Sequence, residues 1–245
     1  MILEKSMYPE EVKKSALQHG GYETPELNDQ LYLHYKGYQR IENLEPYVNV
    51  KALWLDSNGL EKIENLNKLH LLRCLYLQRN LLTKIENLEC LQNLVTLDLS
   101  ENRISHLEGL SCLRNLTTIN VSKNFLFDTK SIAHLQYCGS LSSIDLSNNG
   151  LKDEDAIQIF AKMAKLTSLN MKGNPMITDV KYFRKKMIAT IQSLQYLDKP
   201  IFDIERSAVE AWVSGGSSEE QKVRKFLQNK KRSDEQKSLE VCNCQ

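Results

Sequence analysis

Three aromatic residues recur at one interval: Tyr32, Trp54 and Tyr76 follow one another every 22 residues. Aromatic side chains set side by side offer large, stiff apolar surface with polar tips, the chemistry of recognition rather than of bond making. Residues that could do covalent chemistry are not arranged for it. No G-x-S-x-G, H-E-x-x-H, Walker or G-x-G-x-x-G pattern occurs. The five histidines, His19, His34, His70, His106 and His134, are scattered, with no Cys or Asp at a triad spacing. Cys242-x-Cys244 could supply half a metal site, but no second pair or histidine cluster accompanies it. No catalytic residue, metal or cofactor is expected, and the chain reads as a binding scaffold.

What must position the aromatics is a repeat. The tetrapeptide IENL stands at 41–44 and returns at 63–66 and 85–88, and self-similarity at such a period marks a solenoid. The frame is L-x-x-L-x-L-x-x-N-x-L, filled in one unit by Leu72, Leu75, Leu77, Asn80 and Leu82. Its asparagine recurs as Asn58, Asn80, Asn102, Asn124, Asn149 and Asn174. The earliest unit keeps Leu31 and Leu33 but has Lys36 and Tyr38 in the Asn and Leu places. This frame, found seven times, resembles the leucine-rich repeat. The resemblance implies an α/β solenoid: a right-handed superhelix with a parallel concave sheet, a convex side of 3₁₀ and α segments, and helical caps at both ends.

The frame has a physical cause. Leucines at i and i+2 point to one face of a short strand and the residues beside them to the other. The asparagine ends the strand at a turn, where its amide can satisfy backbone groups left unpaired by the bend. One repeat cannot bury its own leucines, so stacking is required. Alternation then lists the concave face. One column runs Tyr32, Trp54, Tyr76, Asp98, Asn120, Asp145 and Asn170; the next runs His34, Asp56, Gln78, Ser100, Ser122, Ser147 and Lys172. With strands roughly 4.8 Å apart, Tyr32, Trp54 and Tyr76 form a ladder. Aromatics also suit strands and stabilise one another across them, yet three in succession on the outward column favour a partner-binding patch reaching through Asp98, Asn120 and Asp145 and flanked by His34, Asp56 and Gln78.

The later units lengthen to 25 residues, with Ile157, Phe160 and Met163 at helical spacing and Asp153 or Asp155 as the N-cap. Four segments are expected: a capping helix over 1–26, seven repeats over 27–176, a cap over 177–202, and a helical, charged, partly disordered tail over 203–245. Val12, Ala16 and Leu17 give the first helix its apolar face. Phe183, Met187, Ile188 and Ile191 form a covering helix, and Leu194 with Leu197 a final strand. In the tail, Ala208, Ala211 and Trp212 pack on the cap, and Ser217 with Glu220 has capping-box spacing.

A net charge of +1 with 26% charged residues gives no overall field for nucleic acid or an anionic membrane. The charged start MILEKSMYPEEVKK does not read as a signal peptide, and no apolar run approaches ~18 residues. A soluble intracellular protein with free thiols is expected. Cys90 and Cys112 share a repeat position.

Over about residues 15–220 the chain resembles the dynein axonemal assembly factor 1 family. The resemblance rests on LNDQLYLHYKGYQRIENLEPY, LWLDSNGLEKIENL and LYLQRNLLTKIENLE, then LDLSENRI and LNMKGNP, then YLDKPIFDIERSAVEAWVSGG. In that last segment Tyr196, Leu197, Asp198, Trp212 and the Gly215-Gly216 pair fit the family pattern. The resemblance implies a cytoplasmic factor, associated with cilia and flagella, that preassembles axonemal dynein arms. Its partners would be axonemal dynein chains, co-assembly factors and chaperones. Two rival readings are a regulatory subunit of protein phosphatase-1 type and a structural, light-chain-like axonemal protein.

Overall fold

A computed structural model describes residues 5–242; residues 1–4 and 243–245, including Cys244 and the first residues of the charged start, lie outside the described residues. Seven three-residue strands recur with the sequence period: β1 Gln30–Tyr32, β2 Ala52–Trp54, β3 Cys74–Tyr76, β4 Thr96–Asp98, β5 Thr118–Asn120, β6 Ser143–Asp145 and β7 Ser168–Asn170. Together with β8 (Tyr196–Leu197) they form one parallel sheet in chain order, closed by β9 (Lys199–Pro200) antiparallel to β8. The register pairs Leu31 with Leu53, Leu53 with Leu75 and Leu75 with Leu97, so each column of the frame is a column in space. In β2, β3 and β4 the middle leucine is buried and its neighbours half-buried.

The strands stay short because the chain turns soon after them. Ser57, Arg79, Glu101 and Lys123 hold φ between 53° and 57°, left-handed backbone that cannot continue a strand. Behind each stands a frame asparagine. Asn102 donates from Nδ2 to the carbonyls of Leu77 at 2.9 Å and Leu99 at 3.0 Å, and its Oδ1 accepts from the Leu82 amide at 3.0 Å. Asn80, Asn124, Asn149 and Asn174 repeat the pattern. The first unit, where Lys36 replaces Asn, still receives the bond from the next repeat: the amides of Lys36 and Tyr38 donate to Asn58 Oδ1 at 3.1 and 3.0 Å.

The repeated IENL has a separate cause. Asn43, Asn65 and Asn87 hold φ of 60°, 58° and 59°. Asn65 and Asn87 donate one repeat back, to the carbonyls of Ile41 and Ile63 at 2.6 and 2.7 Å, and Asn43 donates to the Met7 carbonyl of the N-terminal segment at 2.7 Å. Asn tolerates this left-handed conformation, while Ile and Leu on either side fill the core. A second convex ladder, unmarked by the frame, runs through Asn49, Asn93 and Asn115, each donating at 2.8 Å to the preceding repeat.

The helices of the described residues are α1 (Pro9–Gln18), α2 (Thr129–Ile132), α3 (Ala156–Ala161), α4 (Met176–Asp179), α5 (Phe183–Thr190) and α6 (Asp203–Cys242). The two longer repeats carry α2 and α3 on the convex side, with Ile157, Phe160 and Met163 buried. Asp155 occupies the N-cap of α3 without a side-chain capping bond. Asp153 reaches across to the preceding repeat, accepting from the Thr129 amide at 3.1 Å.

At the front, Met7 is buried and α1 buries Val12, Ser15 and Ala16, whereas Leu17 stays 48% exposed. The reason is Ser15, whose hydroxyl donates to the Tyr32 carbonyl and so fixes which helix face meets β1. At the back, Phe183, Met187, Ile188, Ile191, Leu194 and Leu197 are buried. The strand there is Tyr196–Leu197, with Leu194 packed before it. Asp198 ends the asparagine ladder, its Oδ1 accepting from the Met171 amide at 2.6 Å.

Helix α6 breaks at Gly215 and Gly216, the latter at φ 69° and ψ −161°, a region open to glycine. Beyond the break, Glu220 does not use its capping-box spacing. It is 7% exposed and pairs with Lys185 on α5 at 2.5 Å and Arg224 at 3.0 Å. The tail is helical as far as Cys242. No helix among the described residues is long and apolar enough to cross a membrane.

Candidate functional site

Strand geometry brings the predicted aromatics into one stack. Tyr32 and Trp54 lie 4.3 Å apart between ring centroids at 12°, and Trp54 and Tyr76 5.1 Å apart at 16°. All three are half-buried, with the leucines of the strands behind them. A fourth ring joins from outside the repeats: His19, just past α1, stacks on Tyr32 at 4.7 Å and 26°. His19 Nδ1 lies 2.8 Å from the Ser15 carbonyl, so one turn of the cap sets both the ring and the end of β1. His34 stands edge-on to Tyr32 at 6.2 Å and to His19 at 6.0 Å. The histidines read as scattered are thus partly gathered: two meet at the head of the stack. His134 also has a structural task, its Nε2 accepting from the amides of Leu110 and Ser111 at 3.2 and 3.1 Å.

The stack is locked by its surroundings. Tyr32 donates to Gln30 Oε1 at 2.6 Å. Burial, then Cys74 and Asp98, push the Tyr76 phenol up from its ordinary value, so it stays a neutral hydroxyl. In the neighbouring column Asp56 is 9% exposed, and the half-buried His34 and Gln78 hold Nδ1 and Oε1 without hydrogen-bond partners.

Beyond Tyr76 the same column changes character. Asp98 Oδ1 accepts from the Ser100 amide at 2.9 Å and hydroxyl at 2.7 Å, and its Oδ2 accepts from Asn120 at 3.1 Å. Asp145 accepts from the Ser147 amide and from Asn170, both at 2.8 Å. These carboxylates are engaged in tying strand to strand, and the four rings form a contiguous patch with partly open edges. Trp212 lies elsewhere, against the cap, edge-on to Tyr182 at 5.5 Å with the Lys185 ammonium 5.3 Å from its ring. Tyr196 is 39% exposed and Leu197 is buried.

Cys74, Cys90, Cys112 and Cys138 are free thiols, and burial followed by the neighbouring Cys112 pushes Cys138 up to about 11. Among the described residues no group of three His, Cys, Asp or Glu is placed to hold a metal.

His19 and the left-handed IENL asparagines escaped the sequence reading. The asparagines carried a signal in their strict period; His19 had none.

Residues 83–224 match the family model described as leucine-rich repeat. Dynein axonemal assembly factor 1 of Homo sapiens is 57% identical over 231 residues, covering 94% of this chain and 32% of the human protein. The leucine-rich repeat-containing protein ODA7 of Chlamydomonas reinhardtii is 52% identical over 224 residues, covering 91% of this chain and 52% of the algal one. The chain thus spans about half or less of the length of these relatives. Among solved structures, the internalin InlF of Listeria monocytogenes superposes with a TM-score of 0.55 at 20% identity, covering 81% of this chain and 71% of that one. That likeness concerns the fold.

Proposed function

Since the chain belongs to the leucine-rich repeat family and is 57% and 52% identical to a dynein axonemal assembly factor and to ODA7, we propose that it is a non-enzymatic scaffold for the preassembly of axonemal dynein arms. It works in the cytoplasm of cells building cilia or flagella and binds axonemal dynein chains with their co-assembly factors or chaperones. The segments act as proposed from the frame: two caps shield a row of seven repeats, and the tail helix extends from the second cap.

The observation that carries this reading is the His19-Tyr32-Trp54-Tyr76 stack. Three rings in register, with His19 added from the cap, spend their faces on each other and leave their edges to a partner. Rigid, partly desolvated aromatics make efficient interface anchors because little conformational freedom remains to be lost on binding. Asp98, Asn120, Asp145, His34, Asp56 and Gln78 surround them as the polar margin of the same face.

The test is replacement in ciliated cells. When the chain carrying Trp54→Ala and Tyr76→Ala substitutes for the parent, axonemes should keep their microtubules and lose dynein arms by electron microscopy. Normal arms with the variant as the sole copy would refute the assignment of this face.

A further inference from the structure

The concave face ends in a different chemistry from the one it begins with. Lys172 closes its second column, and beyond it β9 and the turn between α4 and α5 bound an open groove of about 630 Å³. Five cationic side chains line this groove against one carboxylate. Two of the five are neutralised, Arg184 by Glu205 at 2.7 Å and Lys185 by Glu220 at 2.5 Å. Lys172, Lys181 and Lys199 are exposed and have no ion pair among the described residues. The lone carboxylate, Asp198, is already engaged by the Met171 amide. A chain of net charge +1 therefore concentrates positive potential here.

The groove also has an aromatic wall. Tyr182 is 46% exposed and holds φ 60°, a left-handed conformation strained for a bulky residue and maintained only where its surroundings impose it. The ammonium groups of Lys181 and Lys185 lie 5.0 and 5.5 Å from the Tyr182 ring centroid. Buried Val180 and Phe183 make the floor apolar.

We propose that this groove docks an acidic segment of a partner protein, its carboxylates on Lys172, Lys181 and Lys199 and an apolar side chain against Tyr182. Charge complementarity selects an anion, and the apolar wall selects a peptide. Nucleic acid fits poorly, because a charge at every residue would meet the Asp198 carboxylate within the groove, whereas a peptide places its acids only where the lysines stand. This site is distinct from the aromatic stack and does not depend on it.

The experiment is fluorescence anisotropy on the full chain with a short labelled peptide alternating Glu and Leu. It is compared with its Lys-for-Glu counterpart and a single-stranded oligodeoxynucleotide. The acidic peptide should bind, weaken with salt, and lose about tenfold or more in affinity when Lys172→Gln, Lys181→Gln and Lys199→Gln are combined. Tyr182→Gly, which suits the left-handed turn, should weaken binding several-fold with circular dichroism unchanged. Trp54→Ala should leave it untouched, which separates this site from the stack. Equal binding by the triple lysine variant, equal binding of the Lys peptide, tighter binding of the oligonucleotide, or loss with Trp54→Ala would overturn the proposal.

Discussion

The asparagine ladder and the aromatic stack follow the same period, but one is closed and the other open. Asn80, Asn102, Asn124, Asn149 and Asn174 are buried, with amide nitrogens and oxygens paired to backbone in their own and the preceding repeat. Tyr32, Trp54 and Tyr76 are half-buried and touch chiefly each other and the residues beside them on the face. A periodic residue whose whole bonding capacity is used inside the molecule serves the fold. One that repeats as faithfully and keeps surface to spare is available for recognition.

The difference breaks most sharply at an interior asparagine. Asn102→Ala strands the Leu82 amide and takes one of two donors from each of the Leu77 and Leu99 carbonyls, which keep Asn80 and Asn124. One stranded buried amide and two weakened carbonyls should cost roughly 2 kcal/mol or more, read as a lowered midpoint in urea. A midpoint within error of the parent would mean that the ladder does not hold the repeats.

Acid should separate the ladder from the tail, since the asparagines have nothing to titrate. The Arg184 hydrogen bond holds the Glu205 carboxyl below its ordinary 4.5, and the Lys185 hydrogen bond does the same for Glu220. Their contribution is complete above that ordinary value and is lost as pH falls through the lower, folded-state one. Trp212 fluorescence, followed in a Trp54→Phe background, should therefore change below pH 4.5 before far-ultraviolet circular dichroism reports loss of the repeats. Coincident transitions would tie α6 into the same cooperative unit.

The smallest effect is expected on the convex side. Gly109 occupies the left-handed slot of Asn43, Asn65 and Asn87, at φ 70°, and lacks their backward bond. Gly109→Asn should supply it, donating to the Ile85 carbonyl, although its Cβ would approach that oxygen to 3.1 Å. A gain of about 0.5 kcal/mol is expected, from the bond and from the reduced freedom of the unfolded chain. A loss measured by calorimetry would show that this repeat is not equivalent to the three before it.

What was legible in the sequence was what repeats. Leu53, Leu75 and Leu97, the frame asparagines and the Tyr32-Trp54-Tyr76 column follow from alternation and period, because each contact recurs one repeat away. Contacts made once carry no such mark. Helical spacing alone assigned Leu17 to the core, but the bond from Ser15 to the end of β1 turned it outward. Local capping rules pointed Asp153 or Asp155 at its own helix and Glu220 at its own N-terminus. Asp153 instead spans to Thr129, and Glu220 spans to Lys185. His19 joins the stack only because α1 docks on the edge of the sheet.

An aromatic stack that recognises a partner need not hold up the fold. One paired measurement on Trp54→Ala tests it: its melt, and its capture of dynein heavy or intermediate chains from the cytosol of ciliated cells. Stability should stay within about 1 kcal/mol of the parent and capture should weaken roughly thirty-fold, the loss of about 2 kcal/mol expected for a buried interface tryptophan. A folded variant with undiminished capture would contradict it, and so would a variant that unfolds, since Trp54 would then belong to the core.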